Sequence, residues 1–222
     1  MFLEIPDLLS RDQVAKLRAL SQTTPFVDGR VSNPGSTIKN NLQADQAHPG
    51  HREAAGLMQQ ALLASPHFMG FAFPKAMLPP MLTRYQPGMN YGAHSDAAFL
   101  PVGSRPLRSD LSCTIFLNEA DAYEGGELSV RLGARDIDFK PQAGGAVVYP
   151  STTIHQVRPV TSGERLCGIT FIESLIVDQT HRDLLHQLNE VLHLEGEKMD
   201  WENRARLTHV SSSLHRLWGD SG

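Results

Sequence analysis

Between Leu82 and Glu173 short β-prone runs alternate with turns built on glycine, and this rhythm limits the middle of the chain to a set of short strands. Leu82–Tyr85 leads into the Pro87-Gly88 turn, and Leu111–Asn118 is an apolar run suited to a buried strand. Gly125-Gly126 precedes Leu128–Val130, Gly144-Gly145 precedes Ala146–Pro150, and a turn through Gly163 leads into Leu166–Glu173. With 222 residues there is enough chain for one substantial core and a few appended helices.

Chemistry-bearing residues sit inside this frame in a particular order. His94-Ser95-Asp96 lies just after the Pro-Gly turn, His155 follows the strand ending at Pro150, and Arg165 comes ten positions later. Residues i and i+2 of a strand point to one side, so His94 and Asp96 are expected to converge on one ion, with His155 arriving from a second strand. Two imidazoles and a carboxylate occupy one face of an octahedral Fe(II) and leave the other positions open. An His-x-Asp pair arises often by chance in a chain with ten histidines, so its weight comes from the surrounding pattern. Arg165 has a planar fork that matches a carboxylate bidentately, although an arginine after a turn is more commonly a solvated surface residue.

The segment Leu82–Glu173 resembles the Fe(II)- and 2-oxoglutarate-dependent dioxygenases, specifically the prolyl/lysyl hydroxylase-like (PKHD-type) bacterial group. The resemblance rests on Arg84-Tyr85-x-Pro87-Gly88 leading into His94-x-Asp96, Leu117-Asn118 after a strand, Gly125-Gly126-Glu127-Leu128, and His155-x-Val157 with Pro159-Val160-Thr161-x-Gly163-x-Arg165. Val27-Asp28-Gly29-Arg30 and Lys39-Asn40-Asn41-Leu42-Gln43 look like the opening of that subgroup. The resemblance implies a mainly β fold with flanking helices, a double-stranded β-helix (jelly roll) with the metal at one open end. It implies a catalytic metal set of His94, Asp96 and His155, and a hydroxylase that decarboxylates 2-oxoglutarate to succinate and CO2 with dioxygen. Arg165 would grip the distal carboxylate of 2-oxoglutarate, with Tyr85 as a further cosubstrate contact and Tyr91 at the substrate mouth. Ascorbate (vitamin C) is the reductant expected for iron that strays to Fe(III). The retained Asp96 favours hydroxylation over halogenation, where a small residue replaces the carboxylate.

Composition adds exclusions. The formal net charge of −4 shows no basic stripe for a nucleic-acid partner. Met1–Asp7 has neither a positive segment nor an apolar stretch long enough for export or membrane spanning, which points to the cytoplasm. Cys113 and Cys167 both lie in apolar runs and read as inert core thiols in a reducing setting.

Outside the strands, Ser10-Arg11-Asp12-Gln13 reads as a capping box opening a short helix through Val14, Leu17, Arg18 and Leu20 that covers the sheet. Residues 24–50 read as loops and short strands; the resemblance implies that Lys39–Asn41 lies near the site entrance, although such a polar run is more often a surface loop. Ala54, Leu57, Met58, Ala61 and Leu62 define a packing helix, and Met58 and Met69 read as gap fillers. The Phe68–Met81 region reads as an edge strand with core phenylalanines. From Asp178 onward two apolar stripes, Leu184 to Leu192 and Leu207 to Leu217, predict two helices broken near Gly196, with the five histidines of this region on helix surfaces or caps. Residues 1–177 are thus assigned to the dioxygenase domain (motif core 82–173) and 178–222 to a helical extension packed on it, whose leftover apolar face is a candidate homodimer contact.

Two rival classes share these residues: a non-catalytic protein that senses iron or 2-oxoglutarate with the same triad, and a cupin-like metalloenzyme. Arg165 has no task in a pure metal binder, and a cupin would favour more histidine ligands. The substrate, whether peptidyl proline or lysine, a free amino acid or a siderophore-like molecule, lies beyond the sequence. The loop Asp96–Asp110 is long enough for a lid, and its Arg105 and Arg108 read as solvated rather than substrate-binding.

Overall fold

In the computed structural model, which describes residues 1–220, two antiparallel sheets enclose the centre of the molecule. The larger runs in the order Leu3–Ile5, Ala146–Pro150, Leu111–Phe116, Arg165–Ser174, Met81–Tyr85, Leu42–Ala44 and Phe26–Asp28, with Pro74–Met77 added beside Arg165–Ser174. The smaller runs Arg135–Phe139, Leu128–Leu132, His155–Val157, Asn90–His94 and Lys39–Asn40. Leu128, Val130 and Phe139 of the smaller sheet pack with Phe116, Val147 and Tyr149 of the larger, so the sheets face each other as a jelly roll.

The all-buried strand Leu111–Phe116 shows why this arrangement suits the sequence. Leu111, Cys113 and Ile115 point outward into a core shared with the helices, and Phe116 points inward between the sheets. Helix α1 (Arg11–Thr23) opens with the reciprocal Ser10/Gln13 capping box and buries Val14 and Leu17. Helix α2 (Pro49–Ala64) starts ahead of the apolar pattern that opens at Ala54, because Pro49 occupies its first turn and His48 Nδ1 accepts from the Gly50 N–H. It buries Ala54, Met58, Ala61 and Leu62. Gly168 of the larger sheet lets α2 approach, since a Cβ there would lie 2.3 Å from Met58 Sδ. Each large side chain buried in this layer contributes on the order of 1.5–3 kcal/mol from area removed from water.

Several expectations need correction. The Phe68–Met81 region begins as helix α3 (Pro66–Ala72), with Ser65 capping the Phe68 N–H and Phe73 ending it in the left-handed region at φ 44°. Phe68 and Phe71 are core residues, but Met69 is 40% exposed and fills no gap. The strand Arg135–Phe139 escapes sequence reading because four of its five residues are exposed, and charges on an edge strand blur the alternation. Val160–Gly163, expected as a turn, pairs with Tyr123–Gly125.

Helices α4 (Gln179–Glu195) and α5 (Trp201–Trp218) follow the sheets, separated by a single-turn helix at Gly196–Lys198. They join the domain through Phe73, Ile176, Leu185, Leu214 and Trp218, and an Ile176–Gly219 bridge returns the end of α5 to the core. Only part of each apolar stripe is used, and Leu184 and Leu217 face outward. His186 is not a surface residue: it is buried, edge-on to Phe71, with Nδ1 beside the Gly70 carbonyl. The last two residues of the 178–222 extension lie outside the described residues. Among the described residues, no helix is long and apolar enough to cross a membrane.

Candidate metal centre and cosubstrate pocket

His94 closes the strand Asn90–His94, His155 opens the strand His155–Val157, and their antiparallel register sets the two residues opposite each other. The ring centroids are 4.3 Å apart. Asp96 lies beyond the strand end, so the pleat does not bring it to His94 as the i, i+2 spacing suggests. Its placement comes from the Asp96 N–H, which donates to the Ser151 carbonyl at 3.1 Å. His94 Nε2 is 3.8 Å from Asp96 Oδ1, and His155 Nε2 is 3.8 Å from Asp96 Oδ2.

Each imidazole is held through its other nitrogen. His94 Nδ1 donates to the Gly92 carbonyl at 2.7 Å and His155 Nδ1 to the Thr153 carbonyl at 2.9 Å, which leaves both Nε2 lone pairs turned toward the carboxylate. Burial and the neighbouring His155 hold the His94 pKa below the usual imidazole range, favouring the neutral, ligating form. All three side chains offer ligand atoms within 4.8 Å of one another. Two neutral imidazoles and one carboxylate, each oriented from behind and open on one side to a cleft of about 1190 Å³, suit a divalent first-row metal such as Fe(II).

Sequence reading missed the groups behind Asp96. The Ser112 hydroxyl donates to Asp96 Oδ2, Ser112 Oγ is 2.7 Å from Ser151 Oγ, and Ser109 donates to Ser151 at 2.8 Å. The signal in the sequence is a serine in the mostly apolar strand Leu111–Phe116, which also holds Thr114, at a position where an unpartnered hydroxyl would be costly.

Arg165 stands across from Tyr85 in the larger sheet and is 1% exposed. Its guanidinium carbon lies 5.0 Å from the Tyr85 ring and 5.3 Å from the Phe116 ring. Nη1 donates to Cys167 Sγ at 2.8 Å, whereas Nε and Nη2 have no hydrogen-bond partner, nor do the hydroxyls of Tyr85 and Tyr123. Burial pushes the Tyr85 phenol well above its ordinary range and the Tyr123 phenol up to about 12, so both stay protonated as donors. Gly126 makes room: a Cβ there would sit 3.1 Å from Arg165 Cδ. An arginine buried with two idle donors is costly unless an anion completes it, and both Arg165 and Tyr85 line the same cleft as the His-Asp-His cluster. Cys167 is therefore more than an inert thiol, while Cys113 is plain core.

Around the mouth, the Tyr91 ring stacks on His94 at 3.7 Å. The 96–110 loop carries a small hairpin, Phe99–Leu100 with Leu107–Arg108, and Phe99 is 61% exposed. Arg105 is largely solvent-exposed, as expected, whereas Arg108 is mostly covered, and both are paired with carboxylates of the protein. Arg105 Nη2 donates to Glu173 Oε1 at 2.8 Å, and Arg108 Nε donates to Asp110 Oδ1 at 2.9 Å, which tether the loop to the larger sheet.

Comparison with known proteins agrees with this geometry. Residues 80–173 match the family model of the 2OG-Fe(II) oxygenase superfamily. A PKHD-type hydroxylase of Sphingopyxis alaskensis is 47% identical over 215 residues, covering 97% of this chain and 98% of that protein. Among solved structures, a prolyl hydroxylase from Trichoplax adhaerens shares the fold with a TM-score of 0.60 at 17% identity, over 82% of this chain and 86% of that one. A Pseudomonas putida prolyl-4-hydroxylase aligns with a TM-score of 0.54 at 22% identity, over 78% and 92% respectively. The chain belongs to the 2OG-Fe(II) oxygenase superfamily, within the PKHD-type hydroxylases, and is an Fe(II)- and 2-oxoglutarate-dependent oxygenase.

Proposed function

We propose that the chain hydroxylates a C–H bond of a small-molecule or peptidyl substrate while decarboxylating 2-oxoglutarate to succinate and CO2, with His94, Asp96 and His155 as the Fe(II) ligands. Iron bound there would supply the activation of dioxygen that neither side chains nor an organic cosubstrate provide. The three ligands would occupy one face and leave the opposite side to cosubstrate and oxygen. Arg165 and Tyr85 would hold the distal carboxylate of 2-oxoglutarate, the arginine through Nε and Nη2 in a bidentate pair. That carboxylate would complete a buried cation, and its loss would leave the cosubstrate unanchored. Ser112 would keep the Asp96 carboxylate turned toward the metal. Residues 1–177 would form the catalytic unit and 178–222 an extension packed on it. Two buried free cysteines support a reducing, cytoplasmic setting.

The observation that carries this reading is Arg165, fully buried with two idle donors in the cleft of the His-Asp-His cluster. Anaerobic addition of Fe(II) and 2-oxoglutarate tests it. A visible metal-to-ligand charge-transfer band in the wild type, weakened in Arg165→Ala and Asp96→Ala, is the expected result. Iron binding without that band would overturn the reading.

A further inference from the structure

One extended segment supplies a wall of the cleft beside the His-Asp-His cluster and Arg165. Lys39–Asn40 pairs with Tyr91 and Asn90 in the smaller sheet, and Leu42 and Gln43 pair with Arg84 and Thr83 in the larger. Residues 39–44 therefore step from one sheet to the other at the cleft. Lys39, Asn41 and Gln43 line it, at only 9%, 4% and 2% exposure. Asn41 Oδ1 packs so closely on Gly29 that it takes the place of a Cβ there, and like Gln43 Oε1 it is buried with no hydrogen-bond partner.

Lys39 carries a buried charge without a counterion. Its ammonium donates to Ser32 Oγ at 2.7 Å and lies 5.5 Å over the Tyr91 ring, which itself stacks on His94. Among the described residues no carboxylate is within ion-pair distance of it. Asp28 and Asp96 act on it from farther away, yet Asp28 is clasped by Arg30 and Asp96 faces the two metal-site imidazoles. A hydroxyl and a ring face compensate a desolvated ammonium poorly, and burial accordingly lowers its pKa. Farther along the same wall, Gln43 Oε1 is buried with no hydrogen-bond partner. Resting on the reading of this cleft as an Fe(II)/2-oxoglutarate site, we propose that residues 39–43 are its substrate-recognition strip. Lys39 receives a carboxylate beside the metal and Gln43 receives an N–H or O–H donor, which describes an extended, peptide-like acid. Four residues of extended chain separate the two by about 13 Å, longer than a free amino acid. A single ammonium suits a monoanionic carboxylate better than a phosphate.

The test uses the full-length protein, loaded anaerobically with Fe(II) and 2-oxoglutarate and titrated with N-acetyl-glycyl-glycine and with its C-terminal amide. These probes differ only at the C-terminal group, an anionic carboxylate in one and a neutral amide in the other. Calorimetry and the shift of the charge-transfer band both report binding. The acid should bind at least about tenfold more tightly than the amide, Lys39→Met should abolish that preference and Lys39→Arg should restore part of it. Gln43→Leu should weaken both probes alike. Equal binding of acid and amide, no binding of either up to the solubility limit, or a preference that survives Lys39→Met would overturn the proposal. A wild type that forms no band would instead overturn the cosubstrate reading on which it rests, and a band lost on Lys39→Met would assign Lys39 to the cosubstrate rather than to the substrate.

Discussion

The Ser112 hydroxyl donates to Asp96 Oδ2, joining the candidate metal ligand to a row of buried hydroxyls that continues through Ser151 to Ser109. The ligand that stands outside any strand is thus positioned by the floor of the larger sheet. Ser112→Ala leaves the carboxylate without its orienting donor and should weaken Fe(II) binding by about 10–100-fold with little change in fold. Fe(II) titration monitored by the charge-transfer band checks this, and unchanged affinity would reduce the hydroxyl row to simple packing.

Arg165 is expected to dominate cosubstrate affinity. Arg165→Ala should raise the Kd for 2-oxoglutarate by about 100-fold or more, since truncating a buried charged partner costs about 2–5 kcal/mol. Arg165→Lys should recover only part of it, because a single ammonium cannot reproduce the parallel donors of Nε and Nη2. Equilibrium binding with iron present separates these outcomes.

At Gly125 the backbone adopts φ 69°, and a Cβ would meet the Pro159 carbonyl oxygen at 2.0 Å. Gly125→Ala should lower stability by roughly 1–3 kcal/mol through left-handed strain and the shift of the Val160 strand. Urea unfolding measures the loss, and no loss would mean that the Tyr123–Gly125 pairing is dispensable.

Glu173 is 2% exposed and receives Arg105 at 2.8 Å, with Arg108 Nη1 at 3.9 Å and Lys75 Nζ at 3.8 Å. Glu173→Gln removes the most buried of the carboxylates, Asp110 and Asp220 being the others, that oppose these cations at the sheet edge. It should cost about 2 kcal/mol and free the Phe99–Arg108 hairpin for faster limited proteolysis. An unchanged cleavage rate at this hairpin would show that the Arg108 contacts with Asp110, Asp220 and the Ser174 carbonyl suffice to tether it.

In Phe68→Ala, loss of a fully buried ring from the layer between α2, α3 and the larger sheet should cost about 3–5 kcal/mol. Thermal unfolding checks the magnitude, and a much smaller loss would mean that α3 closes over the cavity.

Local pattern in the chain was enough for much of this architecture. Glycine turns and β-prone runs mark Leu111–Phe116, Ala146–Pro150 and the long Arg165 strand, and Ser10 with Gln13 marks the start of α1, because each signal lies within a few residues. The order His94, Asp96, His155 and Arg165 named the candidate site through its resemblance to a family pattern rather than through a local signal. Tertiary structure alone decided the rest. The facing register of His94 and His155, the anchoring of Asp96 by Ser112 and Ser151, and the two idle donors of Arg165 depend on contacts between residues far apart in sequence. So do the capture of Arg105 by Glu173 and the burial of Lys39 without a counterion. Periodicity reports which side a residue faces, whereas the partner it meets there is set by sheet pairing, and only that partner determines whether a polar group is satisfied or waiting for a ligand.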